Sequence, residues 1–159
     1  MEGLKRLFED SGFSGVRTFI QSGNVRFRAS KADPGALAQK VRARLRKWLG
    51  FPVAVMVRPL AELESLVERS PFKGRPIEPE TKLYVAFLEA NPPRKPTLPL
   101  VSEKEGLGTF AIEGRNVFIL SRKVKGRFGF PSNFIEDQLG VLATTRNWNT
   151  ITRMVGAQP

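Results

Sequence analysis

The stretch Val16–Phe27, VRTFIQSGNVRF, constrains the fold more tightly than any other part of the chain. Val16, Thr18 and Ile20 alternate with Arg17, Phe19 and Gln21, and Val25 and Phe27 alternate with Arg26 and Arg28. Period-two alternation on both sides of a polar corner, Gln21-Ser22-Gly23-Asn24, predicts a β-hairpin whose glycine supplies the positive φ of the turn.

The elements around the hairpin follow from spacing and punctuation. Leu4, Leu7 and Phe8 predict a helix over about residues 2–11, stopped by Gly12. Asp33-Pro34 is a helix start, with aspartate as cap and proline at the first helical position. Leu37, Val41, Leu45 and Trp48 then line one helix face, and Gly50 ends it. Val53, Val55 and Val57 predict a strand over Pro52–Arg58, and a helix carrying Leu60, Leu63 and Val67 follows Pro59. The order helix, strand, strand, helix, strand, helix is a ferredoxin-like βαββαβ unit without its opening strand. That strand would lie centrally in the sheet, so its absence would leave two strands facing each other across a gap.

Three prolines in Ser70–Glu80 suggest a boundary, dividing the chain into residues 1–70, a linker 71–81 and residues 82–159. Beyond it, KLYVAFL (Lys82–Leu88) predicts a strand, residues 100–106 a short helix, and Thr109–Ile112 with Asn116–Leu120 a second hairpin. Residues 122–131 read as a basic loop. Asn133 with Glu136 three positions on resembles a capping box, and TTRNWNTITRMVG predicts a polar turn and a last helix. The fold class expected is therefore α+β, with two ferredoxin-like α/β-plait halves, the first lacking its opening strand.

Composition narrows the chemistry. Cysteine and histidine are both absent, which excludes disulfides, zinc–thiolate sites and Ser-His-Asp triads built from this chain alone. Phosphate-loop and dinucleotide glycine motifs are missing too, and the acidic residues form no dyad. No cofactor or metal is expected, and no residue stands out as catalytic. No apolar run approaches the ~20 residues of a spanning helix, so no membrane partner is expected and the cytoplasm is the default location. The net charge of +11 is spread, with 15 basic and 9 acidic groups in residues 1–80 and 11 and 6 in residues 81–159. Such a charge draws polyanions and equally serves solubility.

VRTFIQSGNVRF, KLYVAFL and IEDQLGVLATTRNWNTITRM, in that order, resemble the recognisable blocks of domain-of-unknown-function family 1697, a bacterial family. The resemblance covers nearly the whole chain and implies an architecture without a mechanism. Members of the family normally open with a strand and a Leu-Arg-Gly-Ile-Asn-Val-Gly-Gly segment. Met1 stands where the following helix starts, so the chain is expected to be truncated relative to that pattern.

Two candidate surfaces follow from the residues. Arg17, Phe19, Arg26 and Arg28 share one face of the hairpin, and Arg122, Lys123, Lys125 and Arg127 crowd one loop. Cations beside an aromatic suit nucleic acid or another polyanion, and also suit a solvated strand face. That makes a polyanion-binding module the first functional expectation. The second is an enzyme or small-molecule binder with a polar site joining Gln21, Ser22, Gly23 and Asn24 to Arg146, Asn147, Trp148 and Asn149. There the corner offers an amide, a hydroxyl and backbone N–H groups to an anion, or is simply a turn. Trp148 beside Arg146 is either a stacking platform or a core anchor.

Overall fold

The structure is a computed structural model and describes residues 2–19, 23–30 and 33–156. Its first elements are helix α1 (Glu2–Asp10), strands β1 (Ser14–Phe19) and β2 (Asn24–Arg28), and helices α2 (Pro34–Leu49) and α3 (Leu60–Arg69). Strands β3 (Lys82–Leu88), β4 (Leu100–Ser102), β5 (Leu107–Glu113) and β6 (Asn116–Ser121) follow, then α4 (Pro131–Leu139), β7 (Ala143–Asn147) and α5 (Trp148–Gly156). Antiparallel sheets and helices make this an α+β chain.

The expected hairpin forms as a two-stranded antiparallel sheet, with Thr18 opposite Val25 and Arg17 opposite Arg26. Ile20, Gln21 and Ser22 lie outside the described residues. The apolar face of the hairpin closes a small core with α1 and α2: Phe8, Phe13, Val16 and Val41 are buried, and Val25, Phe27 and Leu45 pack on them. Phe13 and Phe27 lie 4.5 Å apart between ring centroids. Asp33 caps α2 through its side chain, accepting from the Ala36 N–H at 2.9 Å, and Gly50 ends the helix in the left-handed region. The expected stripe on α2 holds for Leu37, Val41 and Leu45. Trp48 continues the stripe toward α1, where a Cβ on Gly3 would stand 3.0 Å from its ring, but stays 51% exposed.

A second sheet has the order β4-β5-β6-β3-β7, antiparallel throughout. Its two faces are separately covered. Ala86, Leu88, Val117 and Ile119 meet Phe134, Ile135 and Leu139 of α4 on one side. Val85, Phe87 and Phe118 meet Leu63 and Leu66 of α3, Phe72, and Ile151 of α5 on the other.

Four expectations give way to tertiary context. Pro52–Arg58 forms no strand: it runs outside any ladder, although Val55 and Met56 each pack on a core cluster. Alternating valines supply propensity, but a strand also needs a neighbour to pair with. Residues 100–106 are strand and turn instead of helix, because Leu100–Ser102 pairs with Leu107–Thr109. Gly106 makes that turn with φ +67°, and a Cβ there would stand 2.3 Å from the Arg122 carbonyl oxygen. The capping box is displaced: Pro131 starts α4 two residues before Asn133, and Glu136 accepts instead from the Ala143 N–H at 2.9 Å. Finally, Ala143–Asn147 is no turn but β7, since its β-branched threonines find β3 as partner. The ferredoxin-like plan is thus incomplete on two counts: β3 reaches β5 through a proline-rich loop and β4, and β1 and β2 pair only with each other.

Candidate functional site

Beside β2 of the hairpin lies a groove of about 560 Å³. Gly23, Asn24, Val25 and Phe27 line it, as does the run Val53–Arg58, which joins no ladder among the described residues. Leu4 and Phe8 of α1, Val41, Leu45 and Trp48 of α2, and Phe87, Thr144 and Arg146 of the larger sheet complete the lining. The lining is apolar except at a few polar groups, the pattern of sites that hold a ligand's body by burial and orient it by hydrogen bonds.

Arg146 is the most telling of those groups. In β7 it stands opposite Val85, on the sheet face that looks toward the hairpin. Its Nε donates to Oδ1 of Asn24, a buried side chain, and its Nη1 donates to the Thr145 carbonyl at 2.9 Å. Burial holds its pKa below the usual guanidinium value. No carboxylate lies within ion-pair distance of it among the described residues, and none of them accepts from its Nη2. A guanidinium carries five donors, so much of its capacity is left toward the groove.

Arg58 is the second cation of the groove. Burial lowers its pKa first, the nearby Arg115 adds to that, and Glu62 opposes both. Its Nη2 donates to the Leu88 carbonyl at 2.6 Å and its Nη1 to the Val57 carbonyl at 3.1 Å. The Glu62 carboxylate sits 3.6 Å from Nε. This arginine is tied into the protein, whereas Arg146 points its spare donors at space.

The residues singled out from sequence divide accordingly. Gly23, Asn24 and Arg146 come together in the groove, across 122 positions of chain between Asn24 and Arg146. Gln21 and Ser22 are outside the described residues. Asn147, Trp148 and Asn149 turn elsewhere. Asn147 accepts from the Asn149 N–H at 2.9 Å and bonds Tyr84. Trp148 is a core anchor, its ring 5.3 Å from Phe72, and no cation lies over it among the described residues.

On the hairpin, Arg17 and Arg28 are exposed while Phe19 and Arg26 are half-buried. In the basic loop, Arg122 pairs with Glu78 and Lys123 with Glu80, each at 3.3 Å, while Lys125 and Arg127 are exposed. Sequence reasoning missed Arg58 and Trp48 as groove residues. Arg58 did carry a signal, a lone charge closing an alternating apolar run just before a proline.

Residues 1–118 match DUF1697, a family described as proteins of unknown function. The chain belongs to that family. The DUF1697 match spans the hairpin, α2, the Val53–Arg58 run and β3, so most of the groove lining falls inside it, while Arg146 lies beyond it. No curated protein and no solved structure matches the chain. Among the described residues no helix is long and apolar enough to cross a membrane, and no group of three His, Cys, Asp or Glu side chains could hold a metal ion.

Proposed function

We propose that this DUF1697 protein is a binding module for a ligand with an apolar body and an anionic group, held in the groove with the anion on Arg146. The observation that carries the reading is a mostly buried guanidinium without a carboxylate partner among the described residues, lining an apolar cavity. Burying a charge is costly unless it is paired, and an anionic ligand supplies the pair. Asn24 orients the guanidinium from the hairpin side, so the two sheets together define the anion position.

8-Anilinonaphthalene-1-sulfonate, an apolar fluorophore with one sulfonate, tests this directly. Arg146→Gln keeps an N–H donor for Asn24 but removes the charge. Since hydrogen bonds to charged groups contribute roughly 1.5–3 kcal/mol, the variant should bind the dye at least about tenfold more weakly. Its thermal midpoint should change little. Equal affinity in the two proteins overturns the reading.

A second reading, a polyanion surface on the hairpin, draws support from exposure. Arg17 and Arg28 are exposed on the hairpin beside half-buried Phe19, a cationic surface with an aromatic in it. It calls for retardation of a mixed RNA and DNA pool at low salt that weakens steeply as salt rises. Unretarded nucleic acid at about 50 mM salt removes it.

A further inference from the structure

We infer that a second cavity, between the segment after α3 and the larger sheet, binds a free α-amino acid with an apolar side chain. This cavity shares no lining residue with the groove, and the inference does not rest on the groove's reading.

Three observations carry it. First, the cavity holds about 290 Å³, close to the lower end of the ~300–1,000 Å³ usual for ligand sites. At ~30 Å³ per molecule of liquid that is room for about ten waters, or an organic molecule of roughly as many heavy atoms. Pro76, Ile77, Pro99, Phe110 and Leu120 give it an apolar body. Second, Gly108 borders it from the interior of β5, laddered to Val101 on one side and Leu120 on the other. Its φ lies outside the left-handed region, so the backbone does not require glycine, and a Cβ there would meet nothing within 4 Å. Glycine weakens a strand interior and often marks a place where a ligand comes close to the backbone. Third, Thr81 stands two positions before Leu83 and Arg122 two after Leu120. Leu83 and Leu120 pair and pack in one core cluster, so alternation puts Thr81 and Arg122 on the sheet face that bears the cavity. The Thr81 Oγ1 is buried with no hydrogen-bond partner among the described residues, a cost that a ligand's polar group removes.

The charged groups set the ligand class. Arg122 and Glu78 both line the cavity and lie 3.3 Å apart, an exposed ion pair of the kind that contributes little by itself and is readily re-paired. A simple anion drawn to Arg122 meets the Glu78 carboxylate, and a simple cation drawn to Glu78 meets the guanidinium. An α-amino acid carries ammonium and carboxylate on one carbon, so it answers both, the ammonium toward Glu78 and the carboxylate toward Arg122. The Thr81 hydroxyl, donor and acceptor in one group, adds a hydrogen bond to either. The apolar side chain then takes the open space over Gly108, beside Phe110 and Leu120. The segment that carries Glu78 and Thr81 is already held in place. Phe72 is buried, the Arg75 guanidinium lies 3.5 Å from the Phe110 ring centroid, and the Thr81 N–H donates to the Glu78 carbonyl at 3.2 Å. Little ordering is therefore left for binding to bring about.

The probe is L-phenylalanine, titrated into the isotope-labelled full chain and followed by amide NMR shifts. The amides of Thr81, Gly108 and Arg122 should shift saturably at millimolar concentration. Phenethylamine and hydrocinnamate, which each lack one of the two charges, should bind at least about tenfold more weakly. Gly108→Val fills the open space with a residue that suits a strand, so the variant should fold as the parent does and lose the shifts. Thr81→Val removes the hydroxyl at nearly constant shape. It should weaken binding roughly three- to tenfold while its thermal midpoint stays level or rises, because an unpaired buried hydroxyl has gone. If Gly108→Val does not fold, Thr81→Val decides alone. Absence of saturable shifts up to about 10 mM, equal binding of either analogue, or undiminished binding in a folded variant overturns the inference. Arg146→Gln should bind the amino acid as the parent does; loss of binding there would put the ligand in the groove and overturn the inference as well.

Discussion

The larger sheet and the hairpin region are made of similar residues and reach different outcomes. Val117, Phe118 and Ile119 in β6 are fully buried between β5 and β3, under helices on both faces. Val53, Val55 and Val57 are β-branched and alternate as strand residues do, yet they remain half-buried and unladdered at the side of a groove. The difference lies in neighbours. β-Propensity measures how well a side chain suits a pleated, half-buried surface, and only a paired strand provides one. The molecule thus has one region whose strands are laddered and covered on both faces, and another in which Val53–Arg58 joins no ladder among the described residues.

The largest test of that contrast removes one side chain from each region. Phe118→Ala deletes a ring that packs on Phe72 and Phe110 at centroid distances of 6.0 Å, and should cost about 3–5 kcal/mol. Val55→Ala borders existing empty space and should cost about 1 kcal/mol, near the centre of the range for point substitutions. Urea denaturation of both variants measures the two values. Equal losses would mean that the groove region is as tightly packed as the sheet.

A smaller effect probes the helix that walls the groove. Asp33 is exposed and contributes through one hydrogen bond to the first turn of α2. Asp33→Ala should destabilise the protein by about 1 kcal/mol. Because α2 buries Leu37, Val41 and Leu45 in the hairpin core and not against the larger sheet, amide exchange should quicken in α2 and leave β3 and β6 unchanged. Uniform quickening would show that the two regions open as one unit.

How much of this was legible beforehand depends on whether a feature is local. The hairpin, the Asp33 cap and the Gly50 stop are written in neighbouring residues and could be read directly. Partners distant in sequence could not. Thr144-Thr145-Arg146-Asn147 looks like a polar turn until β3 lies beside it, some sixty residues earlier in the chain. Leu100–Ser102 looks helical until Leu107–Thr109 pairs with it across a turn that needs Gly106. The site shows the same division. Asn24 and Arg146 each stood out as polar residues in odd company, but Arg58 became a groove residue only once the run before it stayed unpaired.

The finest test compares two polar side chains on one strand pair. Tyr84 stands opposite Asn147 and Val85 opposite Arg146, so Tyr84 and Arg146 project to opposite faces of β3 and β7. Tyr84 packs on the core under α4 and has Asn147 as its hydrogen-bond partner; Arg146 faces the groove. Burial raises the Tyr84 pKa above its ordinary value of 10.0, and the hydrogen bond with Asn147 lowers it in part. The folded state therefore keeps the phenol neutral to higher pH than the unfolded state does. Below pH ~10 both states hold the proton and the group adds no pH dependence. As pH rises from there through the folded pKa, the unfolded state ionises first and stability falls. Tyr84→Phe should lose that component, so its stability should decline less steeply above pH ~10 than that of the parent protein. Parallel curves would mean that the phenol is as well solvated as in the unfolded chain, and the sheet face under α4 would then be as open to water as the groove.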